Sequence, residues 1–253
     1  MKRSESSSAL GNRVKRRVRH EIIKLIKGVL KPPLHLLLRL EQYNSSPRPT
    51  NELSLMYAFL FKHITRTCPQ RILDVGTGTS SLPHLMSHCG AEVVAVDKFG
   101  EYWARRPLNR HFLVVPDDIC NSRISGSFDM VTCIDVLQHV PQHLHAVSTM
   151  ARLLRPGGIA IIGCFFNENH YVPDVYRLPE SNAFGRSHNY SCQMLSRTEI
   201  ESWTATTGFC IADQELWNCF TGEYWTFGER LQPPRPSCPT KQHHVICLCL
   251  EKR

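Results

Sequence analysis

Three features are missing from this 253-residue chain, and each absence excludes a class of protein. No run approaches the ~20 consecutive apolar residues that a membrane-spanning helix needs. Eleven cysteines are present without a C-x-x-C pair, which argues against a zinc or redox motif, and no metal is expected. No clear secretory signal precedes them. We therefore predict reduced thiols and a cytoplasmic protein.

An acidic excess is also missing, and the basic excess is confined to one end. Residues 1–48 carry 12 Lys and Arg against 3 acidic residues, whereas residues 49–253 carry 18 against 19. We predict a basic N-terminal extension over 1–48, partly disordered and partly helical, and a neutral domain over 49–253. Packing on the domain, a lid over the active site, contact with an anionic membrane or RNA, and a transit peptide remain open for the extension.

The most informative stretch is Arg71–Ser81, which reads R-I-L-D-V-G-T-G-T-S-S. Its apolar run predicts a buried parallel strand, and Gly76 and Gly78 predict a tight turn that a ligand can approach closely. A helix is predicted to follow, with serine as N-cap and proline in its first turn. A dinucleotide-binding turn would have a third glycine at 81, and it would not place the anionic Asp74 beside a phosphate.

The pattern D-x-G-x-G-x-S resembles motif I of the class I S-adenosylmethionine-dependent methyltransferases, with Ser80 where many members have a third glycine. The motif F-D-x-V-x-x-x-D-V-L-x-H-V over 128–140 and L-L-R-P-G-G over 153–158 are also typical of that family. The resemblance covers residues 51–253. It implies a three-layer α/β sandwich: a Rossmann-like, seven-stranded, mostly parallel sheet with helices on both faces and an antiparallel last strand beside the fifth.

Patterning predicts the remaining elements as alternating strands and helices. Six further strands are predicted over 91–96, 111–115, 127–134, 159–164, 208–217 and 244–250. The other helices are predicted over 51–66, 141–154 and 196–206.

The resemblance implies S-adenosyl-L-methionine as the cofactor. Asp97 ends the second predicted strand, close to the ~20-residue offset at which a carboxylate meets ribose hydroxyls. Asp118 followed by Ile119 fits the adenine position, and Asp117 is the alternative. The predicted cofactor-binding set is Asp74, Gly76, Thr77, Gly78, Asp97, Lys98, Asp118, Ile119, Ile134 and Asp135.

His139 is the predicted catalytic residue, because it is the histidine of the core motifs that is placed to act on a substrate proton. The alternative is a histidine that holds its loop through a backbone hydrogen bond. A long segment after the fifth strand and an aromatic cluster before the last strand predict the substrate contacts. These are His170, Tyr171, His188, Tyr190, Tyr224 and Trp225.

We therefore expect an S-adenosylmethionine-dependent methyltransferase that acts on an O or N atom of a small-molecule acceptor, such as a sugar, lipid or secondary metabolite. Nucleic acid is not the expected partner, because the domain is electrically neutral. Two alternatives stay open: an RNA methyltransferase that uses the basic extension, and a non-catalytic partner subunit of the same fold. Peripheral membrane contact through the extension also stays open, and no oligomeric state is predicted.

Overall fold

The computed structural model describes Gly28 and residues 51–99, 109–181 and 190–253. The predictions for the N-terminal extension and for His188 lie outside these residues. The helices are α1 (Glu52–Thr67), α2 (Leu82–His88), α3 (His143–Leu153) and α4 (Arg197–Thr207). The strands are β1 (Arg71–Val75), β2 (Glu92–Asp97), β3 (Val114–Pro116), β4 (Phe128–Ile134), β5 (Leu154–Asn167), β6 (Leu195–Ser196), β7 (Phe209–Phe220), β8 (Arg230–Ser237) and β9 (Val245–Lys252).

The strands of the described ranges form one sheet in the order β3-β2-β1-β4-β5-β9-β7-β8, with the short β6 paired to β5. Neighbours from β3 to β5 are parallel, and β9 is antiparallel to both β5 and β7. The predicted class and the insertion of an antiparallel last strand beside the fifth are confirmed.

The predicted count of seven strands is too low, because the described residues alone form nine. β6 is only two residues long, and β8 lies in a segment with three prolines that reads as a loop. Proline lacks the N–H that a sheet ladder uses, and it is tolerated on edge strands. β8 is the terminal strand of the sheet order. The edge position of β8 therefore explains how a proline-rich segment can form a strand.

The central strands alternate their side chains between two cores, one on each face of the sheet. Leu73 of β1 and Val131 of β4 belong to the core that includes α3 and α4. Ile72 and Met130 belong to the core that includes α1 and α2. By the same alternation Asp74 points to the α1 face. Helices therefore cover both faces, and α1 covers the face on which the glycine turn begins.

Two predicted helix starts are confirmed by their capping contacts. The Asn51 side chain accepts a hydrogen bond from the Ser54 N–H at 3.0 Å and begins α1. Ser196 and Glu199 form the predicted capping box of α4, with the Ser196 N–H donating to Glu199 Oε2 at 2.9 Å. No helix within the described ranges is long and apolar enough to cross a membrane.

Two strands differ in extent from the prediction. β3 is confined to Val114–Pro116, because the Asn109 side chain accepts from the backbone of His111 and Phe112 and holds that segment in a turn. β5 begins at Leu154, before the predicted Pro-Gly-Gly stop. Its register against β4 shifts there, so the glycines form a bulge within the strand.

Candidate active site

The glycine turn lies at the carboxyl end of β1, where open α/β sheets bind ligands. Gly76 has φ 75° and Gly78 has φ 55°, a backbone region that L residues rarely adopt. A Cβ on Gly76 would lie 2.3 Å from Cγ2 of Val136, in the loop that follows β4. Glycine is therefore required at 76 both by backbone conformation and by the packing of the two loops.

Asp74 is buried beneath this turn with 2% of its surface exposed. Its Oδ2 accepts from the Thr77 hydroxyl at 2.6 Å, and its Oδ1 accepts from the Thr132 hydroxyl at 2.6 Å. Burial raises the pKa of Asp74 to about 6, although both hydroxyl bonds oppose the rise. The carboxylate thus ties the turn to β4. Each oxygen keeps a second lone pair, so a direct contact with a ligand stays a prediction.

Asp97, at the end of β2, faces the same turn. Its Oδ2 accepts from the Gly78 N–H at 2.7 Å, and no bond to its Oδ1 is present within the described ranges. Burial raises the pKa of Asp97. Asp97 therefore holds the turn with one oxygen, and a contact of the other oxygen with a ligand stays a prediction.

The predicted adenine residues form a small cluster after β3. Asp118 Oδ2 lies 3.0 Å from Lys98 Nζ, and its Oδ1 accepts from the Cys120 N–H at 2.9 Å. Asp117, the alternative, uses both carboxylate oxygens within its own turn, on the Ser122 hydroxyl and the Arg123 N–H. Both carboxylates are therefore engaged within the protein, and Asp118 as the adenine residue stays a prediction.

Asp135 follows β4 in a left-handed conformation, with φ 62°. Its N–H donates to the Gly163 carbonyl at 2.8 Å, and its Oδ1 accepts from Gln138 Nε2. Burial, aided by the charge of Glu52, raises the pKa of Asp135 to about 7. A non-glycine residue at positive φ is uncommon, and such strain clusters at functional sites. Ile134, directly before it, is 9% exposed.

A cavity of about 430 Å³ opens beside Asp135. Four aromatic residues line it: Phe165, Tyr176, Phe220 and Trp225. Phe165 and Trp225 stack with their ring centres 4.0 Å apart, and Tyr176 meets Trp225 edge-on at 6.2 Å. The other lining residues are Glu52, Asp135, His139, Cys192, Gly228 and Arg230. The cavity therefore combines an aromatic wall with charged and polar side chains.

His139 lies at the cavity and is also held by the backbone, so the two interpretations of this residue are compatible. Its Nδ1 is 3.0 Å from the Ser191 carbonyl oxygen. Because a carbonyl only accepts, Nδ1 carries the proton and Nε2 is the basic nitrogen. The ring meets Tyr190 edge-on at 5.2 Å.

Two of the predicted substrate residues are at or next to the cavity. Trp225 lines it directly. Tyr190 contacts two lining residues, His139 and Tyr176, with ring centres 5.2 and 6.1 Å away.

Three other predicted substrate residues lie away from the cavity. Asn167 accepts from the His170 N–H in a turn, and the His170 side chain is 58% exposed beside Glu223. The Tyr171 hydroxyl donates to Gln193 Oε1 at 2.7 Å, outside the cavity wall. Tyr224 is 7% exposed and is used in packing rather than in lining the cavity. We leave these three residues out of the site proposed below.

Sequence patterns did not point to three residues that the structure brings to the site. Glu52 of α1 and Arg230 of β8 line the cavity and pair with each other, with Arg230 Nη2 3.1 Å from Glu52 Oε1. Tyr57 of α1 lies near the glycine turn, and burial together with the nearby carboxylates of Asp74 and Asp135 raises the pKa of Tyr57 to about 12. No local sequence pattern distinguishes these three positions from other polar residues.

Comparison with known proteins identifies one family. The methyltransferase-domain family model matches residues 19–214. The chain is 29% identical over 195 residues to the ubiquinone biosynthesis O-methyltransferase of Albidiferax ferrireducens, covering 70% of this chain and 75% of the relative. It is 35% identical over 161 residues to the protein of the same name from Xanthomonas oryzae pv. oryzae, covering 53% of this chain and 67% of the relative.

Two solved structures share the fold. The 1,6-didemethyltoxoflavin-N1-methyltransferase of Burkholderia thailandensis, solved with S-adenosylhomocysteine, matches with a TM-score of 0.51 and 15% identity, over 92% of this chain and 89% of the other. An S-adenosylmethionine-dependent methyltransferase from Methanosarcina mazei matches with a TM-score of 0.53 and 15% identity, over 75% of this chain and 96% of the other.

Proposed function

Because the chain belongs to the class I S-adenosylmethionine-dependent methyltransferase family, we propose that it methylates a hydroxyl oxygen of a small aromatic molecule. The observation that carries this proposal is the cavity walled by four aromatic residues beside Asp135 and His139. Two similar relatives are named O-methyltransferases, which supports oxygen as the acceptor atom. The sequence left a sugar, a lipid or a secondary metabolite open as the acceptor, and the aromatic walls support a secondary metabolite with an aromatic ring.

The family uses S-adenosyl-L-methionine, and the residues present fit this cofactor. Gly76 leaves no room for a side chain, and Asp97 keeps one carboxylate oxygen available for ribose hydroxyls. The buried carboxylates of Asp74 and Asp135 suit a ligand with a sulfonium and an amino group. When bound, the cofactor supplies a methyl group that is already electrophilic.

We assign the ribose to Asp97 and the adenine to Asp118 and Ile119, with Lys98 holding Asp118 in place. Ile134 and Asp135 would wall the methionine part.

The acceptor side of the reaction needs alignment and removal of a proton. The stacked rings of Phe165 and Trp225 would hold a planar acceptor, which supplies the near-attack alignment that methyl transfer requires. We assign proton acceptance to Nε2 of His139, since Ser191 fixes the proton on Nδ1. Asp135 would accept a hydrogen bond from the acceptor hydroxyl and orient it.

The test uses the purified full chain, S-adenosylmethionine and a matched acceptor series: a catechol, its mono-methyl ether and the corresponding aromatic diamine. Mass spectrometry identifies the methylated atom, and release of S-adenosylhomocysteine gives the rate. We expect O-methylation. His139→Gln should lower kcat by ~10²-fold or more, the usual contribution of a general base, while S-adenosylhomocysteine affinity is unchanged.

His170→Gln is the matched control, because His170 is exposed and lies outside the cavity wall. It should behave like the unsubstituted chain. Methylation of the diamine alone would refute oxygen as the acceptor atom. Full activity of His139→Gln would remove His139 from the mechanism.

We also propose the cytoplasm as the compartment. All eleven cysteines are free thiols, a state that persists in a reducing environment. Because six of these cysteines are buried, thiol titration of the denatured protein, freshly isolated from cells, would check that all eleven are reduced there.

A further inference from the structure

We propose that the Glu52–Arg230 ion pair makes the acceptor cavity selective for uncharged aromatic acceptors and excludes those with a carboxylate on the ring. The inference rests on the proposed function, because it concerns the molecule bound in the same cavity.

The pair occupies the cavity wall and uses the guanidinium in a two-point contact. Arg230 Nη1 donates to Glu52 Oε2, and Arg230 Nη2 donates to Glu52 Oε1 at 3.1 Å. The guanidinium also lies over the Phe220 ring, 5.1 Å from its centre. The Nη1/Nη2 edge of its guanidinium, one of the two edges that can bind a carboxylate at two points, is therefore already used.

The balance of charge at the wall opposes a second carboxylate. Within the described ranges, Glu52 and Asp135 are the acidic lining residues, and Arg230 and His139 are the basic ones. The charge of Glu52 contributes to the raised pKa of Asp135, so the two carboxylates interact. An acceptor carboxylate at the Nη1/Nη2 edge would have to displace Glu52 and leave it unpaired beside Asp135. One at the Nε edge would share the guanidinium with the carboxylate of Glu52, which repels it. A neutral ring disturbs neither contact.

A contribution to the stability of the fold does not by itself explain why this ion pair is present. The Arg230 side chain is 37% exposed, and ion pairs with such exposure contribute little to folding. The contact nevertheless joins residues 178 positions apart in the chain, and it does so at the wall of the acceptor cavity. A role in acceptor choice explains that location.

Two acceptors that differ only in charge test the inference: methyl 3,4-dihydroxybenzoate and 3,4-dihydroxybenzoate. Calorimetry on the chain saturated with S-adenosylhomocysteine gives their affinities, and kcat/KM is measured separately with S-adenosylmethionine. The intact chain should bind the ester at least ~10-fold more tightly than the acid, as expected for one hydrogen bond to a charged group. Glu52→Gln frees the guanidinium, so it should erase or reverse this preference.

Arg230→Gln provides a second variant that does not depend on the folding of the first. It leaves Glu52 unpaired, so discrimination against the acid should increase. Glu223→Gln is the matched control, because it removes an exposed carboxylate that lies outside the cavity wall. The Glu223→Gln variant should prefer the ester over the acid by the same factor as the intact chain.

The outcomes separate this inference from the proposed function. Equal binding of the two acceptors by the intact chain, or an unchanged preference in both cavity variants, would overturn the selectivity while leaving O-methylation in place. The expected preferences in binding without any methyl transfer would support the selectivity and refute the proposed function. Binding of neither acceptor would overturn both.

Discussion

At the scale of single residues, Asp97 has two tasks that one substitution can separate. Its Oδ2 holds the Gly78 N–H, and its other oxygen is assigned to the cofactor ribose. In Asp97→Asn the amide oxygen can still accept from Gly78, but the NH₂ group cannot accept from a hydroxyl. We expect weaker S-adenosylhomocysteine binding by ~1.5–3 kcal/mol, the range for hydrogen bonds to a charged group, with no loss of melting temperature.

Calorimetry and thermal unfolding check this prediction together. Asp97→Ala should lose the same affinity and also some stability, because the Gly78 N–H then loses its partner. An affinity equal to that of the intact chain in Asp97→Asn would remove the residue from the ribose site.

The raised pKa of Asp135 predicts that the stability of the protein depends on pH. An aspartate in the unfolded chain titrates near 3.8, and Asp135 in the folded chain titrates near 7. Between these values the folded state binds more protons, so this residue makes the free energy of unfolding fall as pH rises from about 4 to about 7. Asparagine tolerates the positive φ and can still accept from Gln138.

Asp135→Asn should therefore be more stable than the parent above pH 7, by a few kcal/mol given ~1.4 kcal/mol per pKa unit, and nearly equal to it below pH 4. Urea unfolding across this pH range measures the difference. Parallel curves would show that Asp135 titrates normally in the folded chain.

A functional residue can be predicted from the sequence only when the pattern that marks it is local. Asp97 follows a buried strand at a fixed offset from the glycine turn, and both properties can be read along the chain. Glu52 and Arg230 meet only because β8 returns to the start of α1, 178 residues away. No local pattern encodes that contact, so these residues were accessible only through the structure.

At the scale of elements, the glycine turn and the loop after β4 form one packed unit. A Cβ at Gly76 would overlap Val136, and φ 75° is unfavourable for any L residue. Gly76→Ala should therefore destabilise the fold as well as weaken the cofactor, with ~1–2 kcal/mol from the backbone alone. The sequence pattern by itself predicts a loss of binding with an intact fold.

A double variant distinguishes the two costs. Val136→Ala removes the two methyl groups that lie 2.3 and 2.7 Å from the added Cβ. In the double variant thermal unfolding should recover part of the lost stability, because the backbone cost remains. If Gly76→Ala unfolds at the parent temperature, the two loops are not in the contact described above.

Elements with a strong local pattern were predictable, and those set by their neighbours were not. The apolar runs of β1 and β4 and the capping box of α4 are visible in the sequence, and the structure confirms them. β8 reads as a loop because of its prolines, and its strand conformation depends on pairing with β7. The same neighbour brings Arg230 to the cavity.

At the scale of the whole molecule, the family match and the charge boundary do not coincide. The match begins at residue 19, inside the basic extension predicted for 1–48. The described part of the active site lies in residues 51–253. Residues 19–48 thus resemble the family while carrying part of the basic excess. This favours a structural or substrate-related role for them over a separate tail.

Two truncations test this assignment. Deleting residues 1–18 removes 6 Lys and Arg and 1 acidic residue but nothing of the family match. We expect unchanged melting temperature, S-adenosylhomocysteine affinity and turnover. Deleting residues 1–48 also removes the part of the family match that precedes α1 in the chain. Helix α1 itself supplies Glu52 and Tyr57 to the site. We expect turnover to fall by at least ~10-fold, equivalent to ~1.4 kcal/mol, with cofactor affinity retained because its predicted contacts lie in residues 74–135.

The competing interpretation gives the opposite result. Full turnover by the shorter chain would make the whole segment dispensable for chemistry and favour contact with an anionic surface. In that case the intact chain should bind acidic vesicles, and both truncations should weaken that binding in proportion to the charge they remove. Added salt should abolish it, since exposed charges are screened beyond ~8 Å at physiological ionic strength. Vesicle binding that is insensitive to salt would instead require the apolar positions of residues 13–30 as the contact, because apolar burial does not weaken with ionic screening.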